Sequence, residues 1–198
     1  MKPINLNRGL GPLLVTCLVV LPPAMAATAV AQDITVLSPL KSEYRLGGFV
    51  CTPPAVAGWR ELGSNSKAFQ LAYAEVMPGD AIKTRGLFAA EVFAIPAPAE
   101  VVDVAALASL AHAQQIQNRG DKVIAFSRVA EFDGVEGMQS FTLVSGSKEN
   151  PVYETFFVSL APDKSEYFVG RLTTEDEDFR EQPYFGSLKL VLGTLRRV

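Results

Sequence analysis

Chemistry-bearing residues are scarce in this chain. Its 198 residues hold one histidine, two cysteines and one tryptophan. A Ser-His-Asp or Cys-His hydrolase would have to use His112, which sits in Ala111-His112-Ala113, in the middle of a helical pattern. No Gly-x-Ser-x-Gly elbow occurs anywhere in the chain, so nucleophilic catalysis has no framework to build on. One His and one Cys far apart leave only carboxylates to ligate a metal, with no supporting spacing. The acidic run Glu175-Asp176-Glu177-Asp178 lacks the Asp-x-Asp-x-Asp-Gly pattern of a calcium loop and reads as solvated. Glu131, Asp133 and Glu136 cluster at one turn and are read as turn and solvent-face residues. Gly134-Val135-Glu136-Gly137 falls in a turn, not between a strand and a helix, so it is no phosphate cradle. No cofactor is expected.

Charge is also low. Charged residues make up 20% of the chain and the formal net charge is −3, so there is no basic field for a phosphate backbone. Nucleic acid is excluded as a partner on that ground. The 48% hydrophobic content is globular and suffices for one domain with a real core.

No apolar run is long enough for a mature transmembrane helix. The longest, Leu10 to Leu21, follows Lys2 and Arg8 and precedes Pro22-Pro23 and Ala24-Met25-Ala26. A charged start, a short apolar run and a small-x-small site make a secretory signal peptide over residues 1–26. Cleavage after Ala26 is expected, with Ala27-Thr28-Ala29 and Ala29-Val30-Ala31 as later alternatives. Cys17 lies inside the apolar run after Val15-Thr16, without the small residue a lipidated cysteine needs. Cleavage removes two basic and no acidic residues, taking the net charge from −3 to −5. One cysteine then survives, Cys51, and an intrachain disulfide is excluded. The expected location is periplasmic or secreted, with no stable membrane span after cleavage.

Residues 27–43 read as an N-terminal extension, in which Ile34 to Leu37 forms a short strand or a tether. Residues 44–198 read as a single domain. Tyr44 to Cys51 is an edge segment ending in Thr52-Pro53-Pro54, because proline cannot donate to a ladder. Trp59 follows Gly58 and suits a core plug at the sheet's end, or else a ring on which a ligand stacks. Phe69 to Val76 alternates as a strand. Leu87 to Ile95 is the next, apolar on both faces and so buried on both. From Glu100 to Arg119 the period changes, with Val104, Leu107, Ala108 and Ala111 on one side, acidic residues first, and Gly120 after the last turn. That is a helix whose stripe lies on the sheet. Four extended segments then follow, Val123–Phe132, Met138–Ser145, Val152–Leu160 and Tyr167–Leu172, separated by Asp-Gly, Gly-Ser and Pro-Asp turns. This is an antiparallel meander. Phe185, Leu188, Leu192 and Leu195 at helical spacing predict a closing helix over 185–197.

This element order, together with Thr52-Pro53-Pro54 and Gly58-Trp59, resembles the PsbP-like fold over residues 44 to 197. The resemblance implies an α+β domain, a central antiparallel sheet covered by helices as an α/β/α sandwich. Ran-GTPase-binding import factors and many bacterial envelope proteins share that fold. It also implies non-enzymatic docking on other proteins; the signal peptide excludes the import-factor role. The expected partner is therefore an envelope protein. Trp59, Tyr153, Phe157 and Tyr167 are the candidate binding surface, provided they lie on an exposed face; under the helices they are core. The alternative is a small apolar ligand held between the sheet and the 100–119 helix, against Leu107, Leu110 and sheet aromatics.

Overall fold

The computed structural model describes residues 38–78, 82–95 and 103–198; the expected signal peptide, the Ile34–Leu37 segment and residues 100–102 of the expected helix lie outside them. Alternating apolar and polar residues set up most of the strands: β1 (Tyr44–Leu46), β2 (Phe49–Cys51), β3 (Trp59–Ser64), β4 (Ala68–Val76), β5 (Ile82–Ala94), β6 (Val123–Phe126), β7 (Ala130–Glu131), β8 (Met138–Gly146), β9 (Pro151–Leu160), β10 (Glu166–Thr174) and β11 (Arg196–Arg197). Helices α1 (Val104–Arg119) and α2 (Pro183–Leu192) complete the set, with a 3-10 turn at Phe179–Glu181.

The main sheet has eight strands in the order β3-β4-β5-β10-β9-β8-β6, with β7 also on β8, and all its pairings are antiparallel. The meander is present as expected, except that its first segment breaks at residues 127–129 into β6 and β7. Ser127 explains the break, because its amide and hydroxyl tie both ways to Thr142.

Three other expectations change. Tyr44–Cys51 is not an edge of the main sheet. It forms the β1–β2 hairpin of a separate three-stranded sheet, turning at Gly47, whose φ of 53° suits glycine. The last helix stops at Leu192, not at residue 197. Gly193 weakens it, Thr194 folds back to accept from the Thr52 amide, and Arg196–Arg197 joins the hairpin as β11. Finally, β5 begins five residues early, at Ile82. Its polar start is held by pairing with β4 and by Arg85, which bonds Glu75 and Asp176.

The two faces of the main sheet are covered unequally. On the inner face lie α2, the 3-10 turn and the small sheet; Leu46, Phe49, Leu188 and Val191 pack there onto Phe69, Phe88, Phe157 and Phe168. On the outer face α1 lies over β8 and β9, where Leu107 and Ala108 meet Phe141, Phe156 and Val158. Asp103 caps this helix by accepting from the Ala106 amide at 2.8 Å, and Gly120 ends it at a φ of 52°. The α+β class holds, but the helices cover the sheet only in part.

Candidate functional site: the outer face beyond the helix

The expected aromatic surface is not a surface. Trp59 and Phe157 are fully buried and Tyr167 is 3% exposed. Trp59 is the core plug: its Nε1 donates to the Ser187 hydroxyl at 2.9 Å and to the Tyr184 carbonyl at 3.2 Å. Phe157 sits edge-on to Phe132 at 4.8 Å, under the inner-face cover. Tyr167 faces outward, but it packs 5.4 Å from Phe93 in the cluster under α1. Its phenol is pushed up to about 12 by burial and by the charge of Glu91. Tyr153 is half-buried, 6.0 Å from Phe179. Both faces of β9, and of β10 as far as Val169, are covered, and this is why alternation alone could not say which rings are open.

The space proposed for an apolar ligand is also filled. Leu107 is 1% exposed, packed against the sheet, while Leu110 points away from it and is 53% exposed. A cleft of about 380 Å³ lies elsewhere, between the hairpin tips; Arg45, Lys67, Glu166 and Ser66 give it a polar lining.

Strand register shows what α1 leaves uncovered. Across β3, β4, β5 and β10, one outward row reads Arg60, Ala72, Leu87, Thr173, and the next reads Gly63, Gln70, Ala89, Arg171. Leu62 stands at the β3 bulge beside that second row. Further along β5, Glu91 faces Val169 and Phe93 faces Tyr167. The expectation that both faces of β5 are buried is therefore corrected. Phe88, Ala90 and Val92 are buried on the inner side, while Leu87 on the outer side is 41% exposed and Leu62 is 42% exposed. Among the described residues no helix lies over this part of the face.

Where this region meets α1, three charges converge. Arg119, from the last turn of α1, donates to both carboxylate oxygens of Glu154, and Arg171 Nη1 donates to the same carboxylate at 3.3 Å. The Arg119 guanidinium also lies 5.6 Å over the Phe156 ring. Burial and the neighbouring Arg171 bring Arg119 down to about 10, and burial lowers Arg171 as well. Sequence reading missed this cluster. Its signal is present all the same: Glu154 and Arg171 are charges at outward positions inside two largely apolar strands.

The remaining chemistry-bearing residues do not meet. Cys51 packs in the inner cluster with its Sγ 3.5 Å from the Val191 carbonyl, and burial pushes its thiol up. His112 lies on the opposite face, 4.9 Å from the Phe141 ring and 5.4 Å from the Phe126 ring. Asp133 is exposed and held low by its hydrogen bond to Lys189. In the acidic run, Asp176 binds Arg85 and Tyr184, while Glu175, Glu177 and Asp178 are exposed. Among the described residues, no group of three or more His, Cys, Asp or Glu could hold a metal ion.

No protein-family model and no curated protein matches the sequence. Solved structures do. The Ran-binding protein Mog1p of Saccharomyces cerevisiae is similar over 81% of this chain and 97% of its own length, with 10% identity and a TM-score of 0.51. A mutant of protein Mog1 is similar over 79% and 95%, with 9% identity and a TM-score of 0.51. A Bacteroides thetaiotaomicron protein matches 76% of this chain at 10% identity with a TM-score of 0.41; this chain spans 45% of that protein's length. The Mog1 likeness supports the fold group that the sequence resembles. At such identity it speaks for the fold alone.

Proposed function

We propose that this chain is a non-enzymatic protein-binding domain of the bacterial cell envelope, and that it docks through the outer face of β3, β4 and β5. The observation that supports this most is the uneven cover of the sheet. Leu62 and Leu87 stand 42% and 41% exposed, beside the half-buried Ala89, on a sheet whose other half carries a helix. Apolar groups grouped on a flat face bordered by Arg60, Glu91 and Arg171 have the make-up of an interaction patch. The Mog1p neighbour is named as a Ran-binding protein, so a fold of this kind can serve docking. Placement in the envelope rests on Lys2, Arg8, the Leu10–Leu21 run and Ala24-Met25-Ala26.

Affinity purification from the host's envelope fraction tests both parts. The recovered chain should start at Ala27 or at one of the later small-residue sites, and should carry a co-purifying polypeptide. A Leu62→Arg/Leu87→Arg double variant should recover about tenfold less of that polypeptide, since it removes two apolar contacts and opposes them with charge. Undiminished recovery would mean that this face is not the interface. A chain starting at Met1 would remove the export.

A further inference from the structure

We infer that the partner of this face is an amphipathic helix carrying a carboxylate, and that Arg171 receives that carboxylate. The inference rests on the docking reading above and gives the partner a chemistry. Glu154 is 7% exposed, and it serves two guanidiniums, Arg119 through both oxygens and Arg171 at 3.3 Å. Two cations on one anion leave a surplus positive charge where little water reaches: the side chains of Arg119 and Arg171 are 19% and 13% exposed. Burying charge without full compensation is unfavourable. Arg119 has a second source of relief, because it sits in the last turn of α1, at the negative end of the helix dipole. Arg171, on β10, has none. Among the described residues Glu154 is its one hydrogen-bond partner, although a guanidinium offers five N–H donors in a fork that matches a carboxylate. The cluster is one carboxylate short.

The dimensions of the face select a helix. From Leu62 to Arg171 there are three strand spacings, about 14 Å in all, which matches one helix of about 10–12 Å diameter. From Leu87 to Glu91, short of the Phe93 that packs under α1, the strand runs about 13 Å, the length of roughly two and a half helical turns. Ala89 keeps the floor low enough for a helix to lie close, while Leu62 and Leu87 meet its apolar stripe. Among the described residues, a second copy of this chain does not offer such an element. Its α1 buries Leu107 and Ala108, and its α2 buries Leu188 and Val191.

The test is a photo-cross-link made by the full chain in its host, with Leu87 replaced by benzoylphenylalanine and the linked peptide identified by mass spectrometry. The expected product is a segment of another protein with apolar residues at helical spacing and an Asp or Glu beside them. Arg171→Gln should cut its yield about tenfold, the loss for one charge-assisted hydrogen bond, and Arg171→Lys should restore part of it. Glu154 keeps Arg119 in the Gln variant, so an unchanged urea midpoint separates lost docking from lost folding. Should that midpoint fall, changing the partner's acidic residue to Gln gives the same reading from the other side. A linked segment without a carboxylate, a link to a second copy or within the chain, or a yield indifferent to Arg171→Gln overturns the inference. A link from position 126 but not from 87 overturns this face while keeping the protein-binding reading. No protein linked from either position removes both.

Discussion

At the scale of single residues, His112 is the group most at odds with its surroundings. Its Nε2 is buried without a hydrogen-bond partner among the described residues, between the Phe126 and Phe141 rings. Burial lowers its pKa from the ordinary 6.5. A histidine with a depressed folded pKa binds its proton more readily in the unfolded chain, so stability is fully present above about 6.5 and falls as pH drops toward the folded value. Urea unfolding at pH 7.5 and pH 5.5 should therefore show a lower midpoint at the acid value. His112→Leu should narrow that gap, and at pH 7.5 it should cost little or even stabilise, because it removes an unsatisfied polar atom. An unchanged gap in the variant would assign the acid sensitivity to other groups. Residues of this kind are visible in the sequence as types but not as environments. The lone histidine could be placed on a helix, yet nothing local showed that it faces two rings. Glu154 and Arg171 are seventeen residues apart and meet Arg119 only through the sheet.

At the scale of elements, β10 runs down the middle of the sheet and carries a glycine where its neighbours are large. A Cβ on Gly170 would lie 2.8 Å from the Phe88 ring and 3.3 Å from Phe168. Gly170→Ala should cost roughly 1–3 kcal/mol through overpacking, and Phe88→Leu in the same chain should recover part of that by making room. Equilibrium urea unfolding of the two single variants and the double would measure the coupling; strictly additive costs would mean that Phe88 is not what the methyl meets. The meander around β10 was legible beforehand because its signals are local: alternation within each strand and turn residues between them. The α1 helix was legible for the same reason, through its period and Gly120, although Asp103, expected inside the first turn, is the extended cap before Val104. The pairing of β11 with β2 was not. Two arginines after a helical pattern carry no strand signal, and their partner Phe49 lies far back in the chain. The early start of β5 was hidden likewise, since Lys83, Thr84 and Arg85 are extended because β4 lies beside them. Which aromatics stay open was beyond alternation too, for the cover on each face comes from distant segments.

At the scale of the whole molecule, the sheet is a shared wall between two cores. β9 sends Phe156 and Val158 to the outer cluster and Phe157 to the inner one, while β10 sends Tyr167 and Val169 outward and Phe168 inward. A strand cannot lose the packing on one face and keep its ladder and the other face intact, so residues 44–198 should unfold as one unit. Trp59, the one tryptophan of the chain, reports from the inner core at the β3 end of the sheet. Phe156 stands in the outer core on β9, stacked on Phe141 at 4.9 Å. Phe156→Ala should cost about 3–5 kcal/mol without touching the tryptophan. If the two cores are one cooperative unit, the urea midpoint read by Trp59 fluorescence must fall by the same amount as the midpoint read by far-ultraviolet circular dichroism. If the fluorescence midpoint stays while the dichroism midpoint falls, the outer layer melts by itself. The docking face would then belong to the less stable layer, and a partner helix laid on it would supply the missing half of that layer's core.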